Sequence, residues 1–211
     1  MLEPVTNGAT LNGGEGLIIT GSNMSGKTTY LRSVGAAVVM AQTLHTCPAA
    51  SYRAPRLSVR TSIGRTDSLA DGKSYYLAEA ESVLASVTAA QGGAQCLFLF
   101  DELFRGTNLV ERLAAGEAVL RTLLAGSTQH FAIVATHDGE LVDLLNGLYQ
   151  PVHLDGRLEN GILRFDYQIK PGRATSRNAI ALLQQLGAPD SLTRQATARA
   201  AELDAKHPAE H

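Results

Sequence analysis

At 211 residues the chain has room for one domain, or for one domain with an appendage. Hydrophobic residues make up 45% and charged residues only 18%, so the composition excludes disorder and fibrous repeats and leaves a surface poor in charge or covered by a partner. A net charge of −2 and a pI near 6.3 argue against holding nucleic acid by bulk charge, and Cys47 and Cys96, too few for a disulfide framework, read as two reduced, buried thiols.

The opening stretch MLEPVTNGATLNGGEG has no basic segment followed by an apolar core, which predicts no secretory leader. Leu17-Ile18-Ile19-Thr20 reads as a short strand, then comes a glycine-rich turn, then a helix from about Lys27 to Gln42. Residues Ser33 to Tyr52 lack Lys, Arg, Asp and Glu, but Gln42, Thr43, His45, Thr46 and Pro48 are costly in lipid, so the stretch is not read as a membrane span. A soluble, cytoplasmic chain without membrane contact is expected. Thr43 to Thr66 is a connecting region with one or two short strands around Leu57 to Thr61. From about Gly72 to Ala90, apolar residues at Leu77, Ala80, Leu84 and Val87 have the spacing of one helix face, and Gly92-Gly93 ends that helix.

Cys96 to Phe100 is an apolar strand followed by Asp101-Glu102, a helix from about Leu109 to Leu124, and a second buried strand from Phe131 to Thr136. Strands that are apolar throughout and separated by helices imply a mostly parallel sheet covered on both faces. The tail differs. Leu163, Phe165, Tyr167 and Ile169 alternate with polar residues after an Asn160-Gly161 turn signal, which predicts a hairpin strand with one buried face. Two closing helices, about Arg177 to Leu186 and Asp190 to Ala205, are broken at Gly187-Ala188-Pro189. The expected architecture is an α/β domain over 1–174, with its C-terminal β-hairpin, followed by a helical hairpin over 175–211.

Gly21-Ser22-Asn23-Met24-Ser25-Gly26-Lys27-Thr28 fits the phosphate-loop pattern GxxxxGK[ST], with a strand before and a helix after. Glycines let successive N–H groups converge on one point, and the helix N-terminus adds a positive dipole end. Lys27 can reach the β- and γ-phosphates, the Thr28 hydroxyl can bind Mg²⁺, and Thr29 extends the binding run. Asp101, delivered to the end of its strand, can hold the Mg²⁺ shell. On an extended chain the next carboxylate points elsewhere, so Glu102 is placed to orient or deprotonate the attacking water. His137, after the neighbouring strand, could reach a γ-phosphate or its water. A phosphate loop, an Asp-Glu pair and a His at the next strand tip make the ATP-binding-cassette style of P-loop NTPase, with ATP and Mg²⁺ as ligands.

ITGSNMSGKTTYLRSVG, SIGRTDSLADGKSYYLAEAESV, LFLFDELFRGTN and IVATHDGEL resemble the ATPase domain of MutS-type DNA mismatch-repair proteins, in the family's order, from about Asn7 to Leu203. The resemblance implies that Ser74, with Gly72 and Lys73 near it, reaches the nucleotide of the other subunit in a homodimer closed across its ATP sites. Tyr167 falls where the family places an adenine-stacking aromatic or histidine; as an ordinary residue it would fill the apolar strand face. The terminal helix pair resembles the family's helix-turn-helix that docks on the partner subunit, and as a plain hairpin it would bury the same face.

Two departures stand out. Ser22 replaces the family's usual Pro, which predicts a looser loop, and Leu103-Phe104 replaces a smaller, Gly-containing step. Mismatch-reading, connector, lever and clamp segments are not in this sequence, so it reads as an excised ATPase domain or a truncated gene, with DNA reached only through domains outside it. Two other functions fit the same motifs: a cassette ATPase of a membrane-tethered or other assembly, and a non-hydrolysing module that dimerises with nucleotide.

Overall fold

Strands that are apolar at every position can be buried only between two layers, and the sheet is built that way. The computed structural model describes residues 4–64, 75–159, 162–174 and 178–206. In chain order these form β1 (Gly16–Thr20), α1 (Lys27–Leu44), β2 (Ser58–Ser62), α2 (Tyr75–Ala90), β3 (Cys96–Asp101), α3 (Leu109–Leu124), β4 (Phe131–Ala135), α4 (Gly139–Leu144), β5 (Tyr149–Glu159), β6 (Ile162–Pro171), α5 (Ala179–Gln185) and α6 (Asp190–Lys206). The six strands make one sheet in the order β2-β3-β4-β1-β5-β6. All neighbours are parallel except β5 and β6, which pair antiparallel as the tail hairpin. The Asn160-Gly161 turn signal itself lies outside the described residues.

Side-chain alternation divides the core between the two faces. Ile18, Phe98, Phe100, Ala132 and Val134 pack with Leu113, Leu120 and Leu123 of α3 and Leu141 of α4. Leu17, Ile19, Leu97, Leu99, Ile133 and Ala135 pack with Tyr30, Leu31 and Val38 of α1 on the other face. His130 ties three segments together. The Cys96 amide can only donate, so the His130 Nδ1 at 3.1 Å accepts, and Nε2 carries the proton shared with the Ala90 carbonyl at 2.9 Å.

Three sequence expectations need correction. The buried stripe of α2 is Glu79, Val83 and Ser86, whereas Leu77 and Leu84 are 47% and 66% exposed. The spacing was helical, but the helix turns its polar stripe inward, because the Glu79 carboxylate accepts from the Phe104 amide at 2.7 Å. On β6, Leu163, Phe165 and Ile169 are half-buried as alternation requires, but Tyr167 is exposed. A register irregularity between Leu154 and Gly156 and a φ of 56° at Tyr167 break the alternation there. Cys96 is buried, but Cys47 is only half-buried. Among the described residues, no helix is long and apolar enough to cross a membrane.

Candidate functional site

Parallel strands end together at one edge of a sheet, and that edge is where loops of the three central strands converge. Ile19 of β1 lies opposite Ala135 of β4, and Ala135 lies opposite Asp101 of β3. The loops after β1, β3 and β4 therefore start at the same level. The loop from Gly21 to Gly26 needs glycine at both ends. A Cβ on Gly21 (φ 143°) would meet the Leu154 carbonyl oxygen at 2.3 Å, and Gly26 (φ 103°) opens α1 in the left-handed region. Ser22, Asn23, Met24, Ser25, Gly26, Lys27, Thr28 and Thr29 line a cleft of about 320 Å³ together with Asp101, Glu102 and Arg105.

Thr28 Oγ1 donates to Asp101 Oδ2 at 2.6 Å, so the helix start and the strand end meet side chain to side chain. Lys27 is only 5% exposed, and its ammonium donates to the Gly21 carbonyl at 2.6 Å and the Ser22 carbonyl at 3.0 Å. Burial lowers its pKa, opposed by the nearby Glu102 and Asp101 carboxylates. The structure thus brings the glycine loop, Lys27, Thr28, Asp101 and Glu102 to one place.

Glu102 lies there for a different reason from the extended alternation expected from sequence. Its φ is 54°, and Phe104 follows at 58°, two left-handed non-glycine residues in three positions. The Glu102 amide donates to the Ala135 carbonyl at 2.9 Å, and Glu79 holds the Phe104 amide. This is the conformation that a Gly-containing step would reach without strain. One Glu102 oxygen lies 3.2 Å from Arg105 Nη1 and the other 3.4 Å from His137 Nδ1. His137 is not among the residues lining this cleft and meets it only through Glu102. Its Nε2 lies 3.6 Å from Asp138, whose carboxylate takes two bonds from Arg112, at 2.7 and 2.8 Å.

His137 and Glu102 shift each other in opposite directions. The Glu102 carboxylate raises the imidazole above its ordinary 6.5, against burial and with help from Asp138. His137 lowers the Glu102 carboxyl below its ordinary 4.5, against burial and with help from Arg105 and Lys27. A raised His stabilises the fold below 6.5 and loses that contribution as pH rises through its folded value. A lowered Glu stabilises above 4.5 and loses its contribution as pH falls through its folded value. The melting-temperature difference between wild type and His137→Ala should therefore peak between those two ordinary values and narrow on both sides. It should be small, because His137 is 45% exposed and screened. A pH-independent difference would refute the ion pair.

Tyr167 stands over the loop: a Cβ on Gly26 would meet its ring at 3.2 Å. The Asn7 side chain holds it there, donating to the Tyr167 carbonyl and accepting from the Ile169 amide, each at 2.8 Å. Ser22, expected to loosen the loop, accepts at 3.1 Å from Asn178, just before α5. Ser74, with Gly72 and Lys73, lies outside the described residues. Sequence reasoning passed over Arg105, Arg112, Asp138, Asn7 and Asn178; Arg105 alone had a nearby signal, its place in the quoted RGT.

Residues 17–204 match the family model described as MutS domain V. The chain is 35% identical over 192 residues to the DNA mismatch repair protein MutS of Lactobacillus acidophilus, covering 90% of this chain and 22% of that protein. It is 32% identical over 181 residues to the DNA mismatch repair protein MutS 2 of Haloarcula marismortui, covering 84% and 19%. It is 33% identical over 190 residues to the MutS of Streptococcus gordonii, covering 89% and 22%. The chain thus spans about a fifth of the length of these curated relatives.

Proposed function

The chain belongs to the MutS domain V family, and from that premise we propose that it is the Mg²⁺-dependent ATPase domain, on a cassette-type P-loop fold, of a MutS-like protein. The observation that carries this reading is the cleft in which the Gly21–Thr28 loop, the Thr28–Asp101 contact and the Glu102 carboxylate meet. Thr28 Oγ1 and Asp101 Oδ2 are two hard oxygen donors 2.6 Å apart, the donor type that Mg²⁺ prefers. Among the described residues there is no group of three or more His, Cys, Asp or Glu that could hold a metal. Mg²⁺ keeps waters and substrate phosphates in its shell, so a pair of protein oxygens is enough to hold it. When bound, the ion neutralises charge on the phosphate oxygens.

The chain's own residues supply the rest. Loop amides from Gly21 to Thr29, including those of Ser22, Asn23, Met24, Ser25 and Gly26, would cradle the phosphates at the start of α1. Lys27 would exchange its bonds to the Gly21 and Ser22 carbonyls for phosphate oxygens. Glu102 would orient the attacking water and take its proton, with His137 supporting it. Tyr167, 47% exposed beside Gly26, would stack on a purine. Its contact with the loop supports that role over a place in the apolar strand face.

The active form in this proposal is a cytoplasmic homodimer in which Ser74 of each subunit completes the partner's site. The ATPase domain covers 1–174, and the helical hairpin over 175–211 docks on the other subunit. No buried residue in α5 and an exposed Leu192 and Leu203 on α6 support a covered face there. DNA would be engaged only through domains outside this sequence. Mixing two inactive variants, Lys27→Ala and Ser74→Ala, tests the shared site. A mixed dimer contains one site with both lesions and one intact, so ATPase activity should return in part. No recovery, with mixed dimers shown to form, would mean that each subunit works alone.

A further inference from the structure

The polar chain behind Glu102 runs further than any reaction at the cleft requires. Arg112, on α3, forks onto Asp138 with Nε and Nη2, and the two side chains are only 16% and 10% exposed. A desolvated ion pair is a weak source of net stability, so its geometry is more informative than its energy. Asp138 is also fixed through its backbone. Its amide donates to Thr136 Oγ1 at 3.0 Å, and the Thr136 amide donates to the Ile19 carbonyl of β1 at 3.0 Å. Asp138 thus presents a carboxylate held from both sides to His137 Nε2 at 3.6 Å, and His137 Nδ1 faces Glu102 at 3.4 Å.

We propose that Arg112 and Asp138 are positioning residues: Arg112 fixes the Asp138 carboxylate, Asp138 holds the His137 ring, and the ring in turn aims the Glu102 carboxylate at the cleft. The charged groups facing His137 are Glu102 from the loop after β3, Asp138 beside it, and Arg112 from α3. With a carboxylate near each ring nitrogen, at 3.4 and 3.6 Å, His137 is placed to fix Glu102 rather than to serve as a second base. Glu102 sits on a left-handed turn, and its two side-chain oxygens face Arg105 and His137, at 3.2 and 3.4 Å. This inference rests on the reading of Glu102 as the residue that activates water.

The test follows the His137 ring by NMR titration in the full chain, alongside turnover and ATP affinity. Asp138→Asn removes an anion from His137 at almost constant shape, so the ring midpoint should fall. Arg112→Met removes a cation, keeps the stem packing and leaves Asp138 free to pair with His137, so the midpoint should rise. Opposite shifts show that both groups act on the ring, and turnover separates the roles, because a merely structural pair would give the same shifts with wild-type kcat. Both variants should lower kcat about 10–100-fold, the usual cost of losing the partner that orients a functional ligand, with ATP affinity unchanged. Unmoved midpoints, or shifts of the same sign, would overturn the proposal. So would opposite shifts with wild-type turnover in both variants. If Asp138→Asn does not fold, Arg112→Met decides alone: a rise with lowered kcat supports the proposal, and an unmoved or lowered midpoint, or wild-type kcat, refutes it. A wild-type chain that shows the opposite shifts in its variants but hydrolyses no ATP would support the relay and refute the ATPase reading.

Discussion

Replacing Lys27 with Ala should weaken ATP binding by about 10- to 100-fold. A hydrogen bond to a charged group contributes about 1.5–3 kcal/mol, and each 1.4 kcal/mol is tenfold in affinity. Lys27 is the cationic side chain inside the glycine loop, and its ammonium donates to the Gly21 and Ser22 carbonyls. Two effects therefore superimpose in Lys27→Ala: loss of a phosphate contact, and two loop carbonyls left without their donor. Lys27→Met separates them. It fills the buried volume but cannot donate, so it should lose affinity like Ala while keeping more of the stability. Calorimetry giving equal ATP affinity in wild type and Lys27→Ala would overturn the binding site as proposed.

The parallel sheet is legible in the sequence because its central strands must be apolar on both faces. Leu17-Ile18-Ile19 and Leu97-Phe98-Leu99-Phe100 send successive side chains to opposite cores. β5 is hidden by its own composition, since Pro151, Asp155 and Gly156 interrupt what is otherwise a strand. α4 has six residues, too few for a period of 3.6 to show. In α2 the period was legible but not which stripe is buried, because a buried acid that accepts a distant amide outweighs the apolar count. Phe104, the amide in question, is 25 residues away.

The site divides the same way. The glycine loop is a local conformational requirement, so Gly21 and Gly26 declare it in the sequence, and Asp101 follows from the strand that carries it. Glu102 was reached by the wrong route, since its position depends on a left-handed turn and on the β4 carbonyl beneath it. Arg112 and Asp138 are 26 positions apart, and Asn7 holds Tyr167 across 160. Such pairs have no spacing signature; only the sheet order that brings β1, β3, β4 and β6 to common loops makes them neighbours.

Glu102→Gln should leave ATP affinity within a few-fold of wild type and lower turnover by about 10²–10⁴-fold, the usual worth of a general base. The amide matches the carboxylate in shape and keeps its backbone tie to the Ala135 carbonyl, so the left-handed turn at 102 need not change. What it loses is the capacity to take a proton. His137 could replace it only in its deprotonated form, which is disfavoured because the imidazole is held above its ordinary pKa, in the wild type by Glu102 first and Asp138 next. Removing the Glu102 charge lowers the proton affinity of the ring, but Asp138 remains beside it. The residual rate of Glu102→Gln should therefore rise with pH as His137 deprotonates, whereas the wild-type rate should stay level once Glu102 is ionised, below the ordinary carboxylate range. Steady-state turnover across pH, with nucleotide affinity measured in parallel, reads both effects. Turnover equal to wild type in Glu102→Gln would remove Glu102 from the chemistry and leave it as a partner for Arg105 and His137.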